Sequence, residues 1–382
     1  MSSAETYLPA ADWWQGASAV ALLNVLGGEA RFVGGAVRDS LLGRPVNDVD
    51  LATTLLPEDV MRRLEAAGFK AIPTGIEHGT ITAVVDHKVF EITTLRRDVS
   101  TDGRRATVAF SSDWAEDAGR RDFTINALFA DGTGRIFDYT GGIADLKPTR
   151  IRFIGTAEDR ITEDYLRLLR FFRFHAHYAQ TPMDAEAMAA AQKLAPGLAL
   201  LSAERVWAEL KRLLAAPAPE EVVRAMAASG VLKEVLPEAL WPVALPAGSW
   251  AARLLGFLPP GADLEALATR LRWSKADLAL LSGLQEAAET TPAHPYGLLR
   301  RHGASVAEGL AVRQARGLDV PVGWPAIIKA WTPKDFPLTG RDLIARGAEP
   351  GPALGRRLAE IESAWEAAGC IADRDSLLAG LS

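Results

Sequence analysis

GGAVRDSLLGRPVNDVD, residues 34–50, decides how the rest of the chain is read. Two glycines precede a short helix-like stretch, AVRDSLLG (36–43), and the segment ends on Asp48 and Asp50 with one apolar residue between them. If Val49 is buried, strand alternation turns both carboxylates to the opposite face. Two like charges held side by side repel, and a divalent cation would neutralise them. A solvated acidic loop is the plainer alternative. Upstream, EARFVGG (29–35) has the pattern of a strand ending in glycines. Unobstructed backbone N–H groups at the start of a helix bind phosphate, which makes Gly35 a candidate contact. Arg38, about one turn further on, either reaches the same phosphates or pairs with Asp39.

A third acid lies downstream. GTITAVVDHKVFEITTL (79–95) alternates around Asp86-His87 and predicts a β-hairpin. Glu91 stands inside its apolar, β-branched second strand, where an inward carboxylate needs a partner or a metal and an edge position would instead face solvent. If this hairpin lies beside the Asp48–Asp50 strand, three carboxylates converge. Asp48 and Asp50 would then bridge Mg2+ ions while Glu91 takes a proton from an attacking hydroxyl, an arrangement for in-line displacement at phosphorus.

The wider chain is consistent with an ordinary globular protein. It has 382 residues, 48% hydrophobic and 24% charged, which predicts two or three domains with ample core. The N-terminal MSSAETYLPAADWWQG does not have the form of a signal peptide, and no uncharged apolar run is long enough to span a membrane. The single cysteine, Cys370, excludes a disulfide framework and fits a reducing, cytoplasmic setting. Mixed strand and helix signals run to about residue 145. Beyond about 155 strand signals fade and helical spacing takes over, so the expected class is α+β followed by an all-α region. The expected boundaries are 1–145, 146–215 and 216–382.

EDYLRLLRFFRF (163–174) reads as a helix, with Asp164, Arg167, Arg170 and Arg173 recurring every three residues and Glu163 one turn before Arg167. Its leucines and phenylalanines predict deep packing. An acceptor beside a donor, Asp164 and Arg167, has the hydrogen-bonding character of a base edge; intrahelical ion pairing is the simpler reading. The net charge of −6 argues against a strongly basic nucleic-acid surface. Yet Lys147, Arg150, Arg152, Arg160, Arg167, Arg170 and Arg173 outnumber the four acids of their stretch and form a local basic track.

Taken together, GGAVRDSLLGRPVNDVD, FEITTLR, RRDFTINALF (120–129), FDYTGGIADLKPTRIRFIG (137–155) and EDYLRLLRFFRF resemble the polymerase β-type nucleotidyltransferase superfamily. Within it they resemble the class II tRNA nucleotidyltransferase and poly(A) polymerase family, closely over about residues 30–210 and loosely beyond. The resemblance implies a polymerase β-like head, with a small mixed or antiparallel sheet, followed by an all-α neck, body and tail. It implies a Mg2+-dependent, template-independent transferase that adds C, C and A to tRNA 3′ ends from CTP and ATP. The partners implied are the 3′ end and acceptor arm of tRNA, with no membrane and no obligatory protein partner. By this resemblance Asp48 and Asp50 hold metal and Glu91 completes the catalytic set. Arg121, Arg170 and Arg173 join Gly35 and Arg38 around the nucleotide. Asp164 accepts from the exocyclic amine of cytosine or adenine, and Arg167 donates to adjacent ring acceptors. The charged segment 96–106 corresponds to a mobile loop that helps the passage from C to A addition. Poly(A) polymerase activity, addition of C or A alone, and a catalytically silent tRNA-binding protein are the alternatives. His78 is a further candidate for lining the site.

Overall fold

The computed structural model describes residues 5–101, 106–241 and 244–381. The chain forms two compact units. The first comprises 1–202 with 221–235, and the second 203–220 with 236–382.

The first unit is built on strands β1 (Ala30–Val33), β2 (Asp50–Thr53), β3 (Lys70–Gly75), β4 (Thr80–Val85), β5 (Lys88–Thr94), β6 (Arg96–Thr101), β7 (Ala106–Phe110), β8 (Leu128–Ala130) and β9 (Ile136–Asp138). Seven of them form one mixed sheet in the order β3-β4-β5-β2-β1-β8-β9, in which only β2 and β5 run parallel. The expected hairpin is β4–β5. Asp86 and His87 both take positive φ, 47° and 64°, as a two-residue turn matched to strand twist requires. Phe90, Ile92 and Thr94 alternate into the core while Glu91 points the other way. Because β5 lies inside the sheet, the edge-strand reading of Glu91 does not hold.

Helices α1 (Asp12–Gln15), α2 (Ala17–Leu26), α3 (Gly35–Leu41) and α4 (Pro57–Ala66) surround this sheet. Proline at the first position and Glu58 and Asp59 in the first turn start α4, and Gly68 at φ 76° follows its end. Leu22, Leu26, Phe32, Leu51, Leu64, Phe90 and Phe129 are fully buried. Fully burying one such side chain contributes about 1.5–3 kcal/mol, so these residues carry much of the head's stability.

Three local expectations are corrected. Segment 96–106 is not simply a charged loop: its flanks are β6 and β7, paired as an antiparallel ribbon with an irregularity between Asp98 and Ser100. Asp102–Arg105, where the mobile tip is expected, lies outside the described residues. Val49 is only half-buried, and β2 begins at Asp50, so Asp48 stands in the approach to the strand. The third correction is in EDYLRLLRFFRF, which is not one helix. After α5 (Trp114–Gly119) and α6 (Gly142–Leu146), helix α7 (Ala157–Glu163) stops, Asp164 is extended at φ −153°, and α8 (Leu166–Tyr178) begins two residues later. The expected deep packing holds, with Leu166, Leu168, Leu169, Phe171, Phe172 and Phe174 all buried. Helix α9 (Ala185–Leu194) and a 3-10 segment, Ala195–Leu200, continue this unit.

The secondary-structure elements described in the second unit are all helices. Buried Arg253 donates to the carbonyls of Leu214 (2.6 Å) and Ala216 (2.5 Å) near the end of the Ala203–Leu214 helix. Arg313 likewise donates to Ala288 O at 2.6 Å. Both guanidinium groups satisfy carbonyls that a helix end leaves open. Among the described residues no helix is long and apolar enough to cross a membrane.

Candidate active site

Strand register brings the acids together. Asp50 on β2 and Glu91 on β5 are direct partners in the parallel pair, and Glu91 N–H donates to Val49 O at 3.2 Å. Direct partners in a sheet share a face. Leu51 and Ile92 therefore meet in the core, while both carboxylates open into a cleft of about 460 Å3 that Asp48 also lines. Asp50 is exposed to this cleft but surrounded by protein on its other sides. Loss of hydration pushes its carboxyl up to about 6; Glu91 and Asp48 push the same way, and Arg121 opposes them. The cluster is short of positive charge, which is the condition a divalent cation corrects. Among the described residues no three His, Cys, Asp or Glu side chains are placed to enclose an ion. One or two carboxylates completed by phosphate oxygens and water is how Mg2+ is commonly held, so the donor set fits that ion.

Arg121 links the acids to the glycine turn. Gly34, at φ 72° and ψ −122°, adopts a conformation glycine alone takes readily, and a Cβ there would stand 3.7 Å from Arg121 Nη1. Gly35 opens α3. Arg121 is aimed by a residue the sequence reading missed, Asp117, whose Oδ2 accepts from Arg121 Nε (3.1 Å) and Nη2 (2.9 Å). Arg120 fills Oδ1, at 2.8 and 2.6 Å. Burial raises the Asp117 carboxyl, but the two guanidinium groups outweigh it and hold it below the usual range. Burial draws Arg120 itself down to about 10. The spacing of Asp117 to Arg120 and Arg121, three and four residues, was the available signal.

Arg38 is held within the protein. Its Nε and Nη2 donate to Asp39, Nη1 to Asn126 Oδ1 (2.5 Å) and Nη2 to Tyr178 Oη (2.7 Å). The Asp39 pairing expected as the simpler reading is present, and the group lies at the foot of the glycine turn. Asn126 Nδ2 in turn donates to Asp122, whose other oxygen accepts from Arg170 Nε at 2.7 Å. A continuous chain of charge-assisted bonds thus joins α3 to α8. Asp122, also missed, is buried; burial raises its carboxyl, but Arg170 and its hydrogen-bond donors prevail and lower it.

The base-reading candidates sit at the break between α7 and α8. Asp164 Oδ1 accepts from Leu166 N–H at 3.1 Å, helping to start α8. Arg167 is fixed by Glu163 (2.5 Å), Arg120 O (2.9 Å) and Arg160 O (3.3 Å). Arg173 lies over the Phe174 ring, 4.4 Å from its centroid. Between Asp164 and Leu166, Tyr165 packs on Gly197 so closely that a Cβ there would fall 1.9 Å from its Cε1. His78 is exposed, is not part of the acid cleft, and its carbonyl accepts from Arg96 Nη1 at 2.8 Å.

Comparison with known proteins decides the family. The family model described as the poly A polymerase head domain matches residues 30–152, and the one described as a probable RNA and SrmB- binding site of polymerase A matches 182–240. The mitochondrial CCA tRNA nucleotidyltransferase 1 of Mus musculus is 34% identical over 92% of this chain and 86% of its own length. The chain belongs to the CCA-adding tRNA nucleotidyltransferase family. The CCA-adding enzyme of Streptococcus sanguinis (strain SK36), in the same family, is 35% identical over 90% of both chains. Among solved structures, the Bacillus stearothermophilus CCA-adding enzyme in complex with CTP is 28% identical, with a TM-score of 0.74 over 95% of this chain and 96% of that one. The Thermotoga maritima CCA-adding enzyme complexed with tRNA, 20% identical with a TM-score of 0.66, shares the fold over 99% of this chain. The expected α+β head followed by helices is therefore the family's architecture.

Proposed function

We propose that this protein is a CCA tRNA nucleotidyltransferase, adding C, C and A to tRNA 3′ ends from CTP and ATP without a nucleic-acid template. The observation that supports it best is the gathering of Asp48, Asp50 and Glu91 in one cleft, in a chain similar over most of its length to enzymes of that name.

Asp48 and Asp50 would hold Mg2+, which when bound supplies positive charge to the reacting phosphoryl oxygens. Gly35 and Arg121 hold the triphosphate, and Arg38 braces the glycine turn from within the protein; Arg121 is presented ready-oriented by Asp117. The terminal 3′ hydroxyl of the tRNA attacks the α-phosphorus and pyrophosphate leaves. Glu91, beside Asp50 in the ladder, accepts the hydroxyl proton. Asp164 accepts from the exocyclic amine shared by cytosine and adenine, and its charge repels the carbonyl of uracil or guanine at that place. Arg167 donates to the neighbouring ring acceptors, while Arg170 and Arg173 support the nucleotide. In this reading 1–145 is the catalytic head, 146–215 the base-reading neck, and 216–382 the body and tail that bind tRNA, in a protein of the cytoplasm.

The test is incubation with tRNA lacking its CCA end, with each nucleotide offered singly and then CTP with ATP. The expected products are two cytidines with CTP alone and a completed CCA end with both. A long adenosine tail would favour poly(A) polymerase activity, and no incorporation would overturn the reading.

A further inference from the structure

The cleft that receives the three carboxylates has another wall, formed by Trp13, Val46, Lys88 and Val89. Gly34, Gly35, Arg38 and Arg121 do not line it. The acids therefore stand at the border between the glycine turn and this wall. In-line displacement places the entering oxygen and the leaving pyrophosphate on opposite sides of the phosphorus. With the triphosphate at the glycine turn, the attacking ribose comes from the side of Trp13.

The wall has the chemistry of a nucleic-acid end. Trp13 is half-buried and held edge-on against Phe32, with centroids 5.1 Å apart at 74°, and its Nε1 is 3.4 Å from Ser40 Oγ. Val89 is 62% exposed and adds apolar surface to this wall. Lys88 Nζ is 3.1 Å from Asp12, both side chains open to water. Such a pair contributes little, so its ammonium can turn to a phosphate. Trp13 lies ahead of the matched head domain, which begins at residue 30.

We propose that this wall is the subsite for the single-stranded 3′ end of the acceptor RNA, with Trp13 stacking the terminal base and Lys88 meeting a backbone phosphate. It rests on the nucleotidyltransferase reading above. A stacking platform suits the task because the terminal base changes with each addition, and every base has a π-face.

The test is steady-state kinetics of the full chain with tRNA lacking CCA. It is joined by binding of an acceptor that carries 2-aminopurine as its last nucleotide. Trp13→Ala should raise the acceptor KM about tenfold, or ~1.4 kcal/mol, which is within the range of one stacked base. The CTP KM should stay within about twofold and the quenching of 2-aminopurine should be lost. Trp13→Phe should restore both to near wild type. Lys88→Glu, at an exposed position that does not threaten folding, should raise the acceptor KM several-fold and weaken its salt dependence. Unchanged acceptor KM in Lys88→Glu or in folded Trp13→Ala overturns the proposal, as does an equal rise in the CTP KM. Wild-type protein that never extends the tRNA overturns the nucleotidyltransferase reading as well; extension with indifferent variants overturns the subsite alone.

Discussion

The acid cleft and the arginine network beside it use the same kinds of side chain in opposite ways. In the network, Asp117 takes two guanidinium groups and Asp122 takes Arg170, and both carboxyls are lowered despite burial. In the cleft, Asp50 lies beside Glu91 and Asp48, and its carboxyl rises despite Arg121. One region neutralises its carboxylates from within the protein; the other leaves Asp50 under-neutralised, as the proposed metal role requires.

The largest break in that contrast should come from the cleft. Asp50→Ala should lower incorporation of both CMP and AMP by about 10³-fold or more, equivalent to ~4 kcal/mol in the barrier, while a thermal melt shows no loss of stability. Activity within a few-fold of wild type would remove Asp50 from the metal site. Asp117→Ala should do the reverse. Losing a buried partner of two arginines should cost about 3 kcal/mol in denaturant unfolding, with a raised nucleotide KM because Arg121 is no longer aimed. An unchanged unfolding midpoint would mean that water replaces the carboxylate.

A smaller and more selective effect is expected at the helix break. Asp164→Ala should reduce discrimination against UTP and GTP by about 1–3 kcal/mol, read from single-nucleotide incorporation. Gly197→Ala must displace the Tyr165 ring and should reproduce part of that relaxed selection, at about 1–2 kcal/mol of stability from overpacking. Tight selection in Asp164→Ala would dismiss the base-reading role.

The smallest effect concerns acidity in metal-free buffer. Asp50 binds its proton more tightly folded than unfolded, so its contribution falls as pH rises from about 4 to about 6. Asp117 and Asp122 act oppositely: their contribution is complete above the unfolded value near 4 and is lost as pH falls through their depressed folded values. Stability should therefore slope gently downward across pH 4–6 and collapse at lower pH. Asp50→Asn should flatten the gentle slope without moving the collapse; an unaltered slope would assign it to other groups.

Much of this was legible from residues, and the failures have physical causes. The Asp86-His87 hairpin was readable because alternation continues on both sides of a polar pair. The core face of α8 was readable because its apolar residues are dense. The break before α8 was not, since the apolar period runs through Asp164 and Tyr165 without proline or glycine, and the contact that accompanies it, Gly197, lies far along the chain. The β6–β7 ribbon was hidden because charge dominates its first strand. Asp117 escaped because a buried carboxylate looks like a surface one until its arginines are seen to turn inward. The roles assigned to the arginines came from family resemblance, since helical spacing alone equally fits ordinary ion pairs.

The parallel register of Asp50 and Glu91 has a practical corollary. Their separation is set by a ladder of backbone bonds and is independent of the length of chain between them. Extra residues inserted at Gly68, an exposed glycine with open space where a Cβ would lie, should leave Asp50 and Glu91 in phase. One residue added inside β5 ahead of Glu91 would turn that carboxylate into the core and bring an apolar neighbour to the surface. The connection after α4 is thus a place to graft a label or a whole foreign domain, and β5 is a place where even the smallest insertion should silence the enzyme.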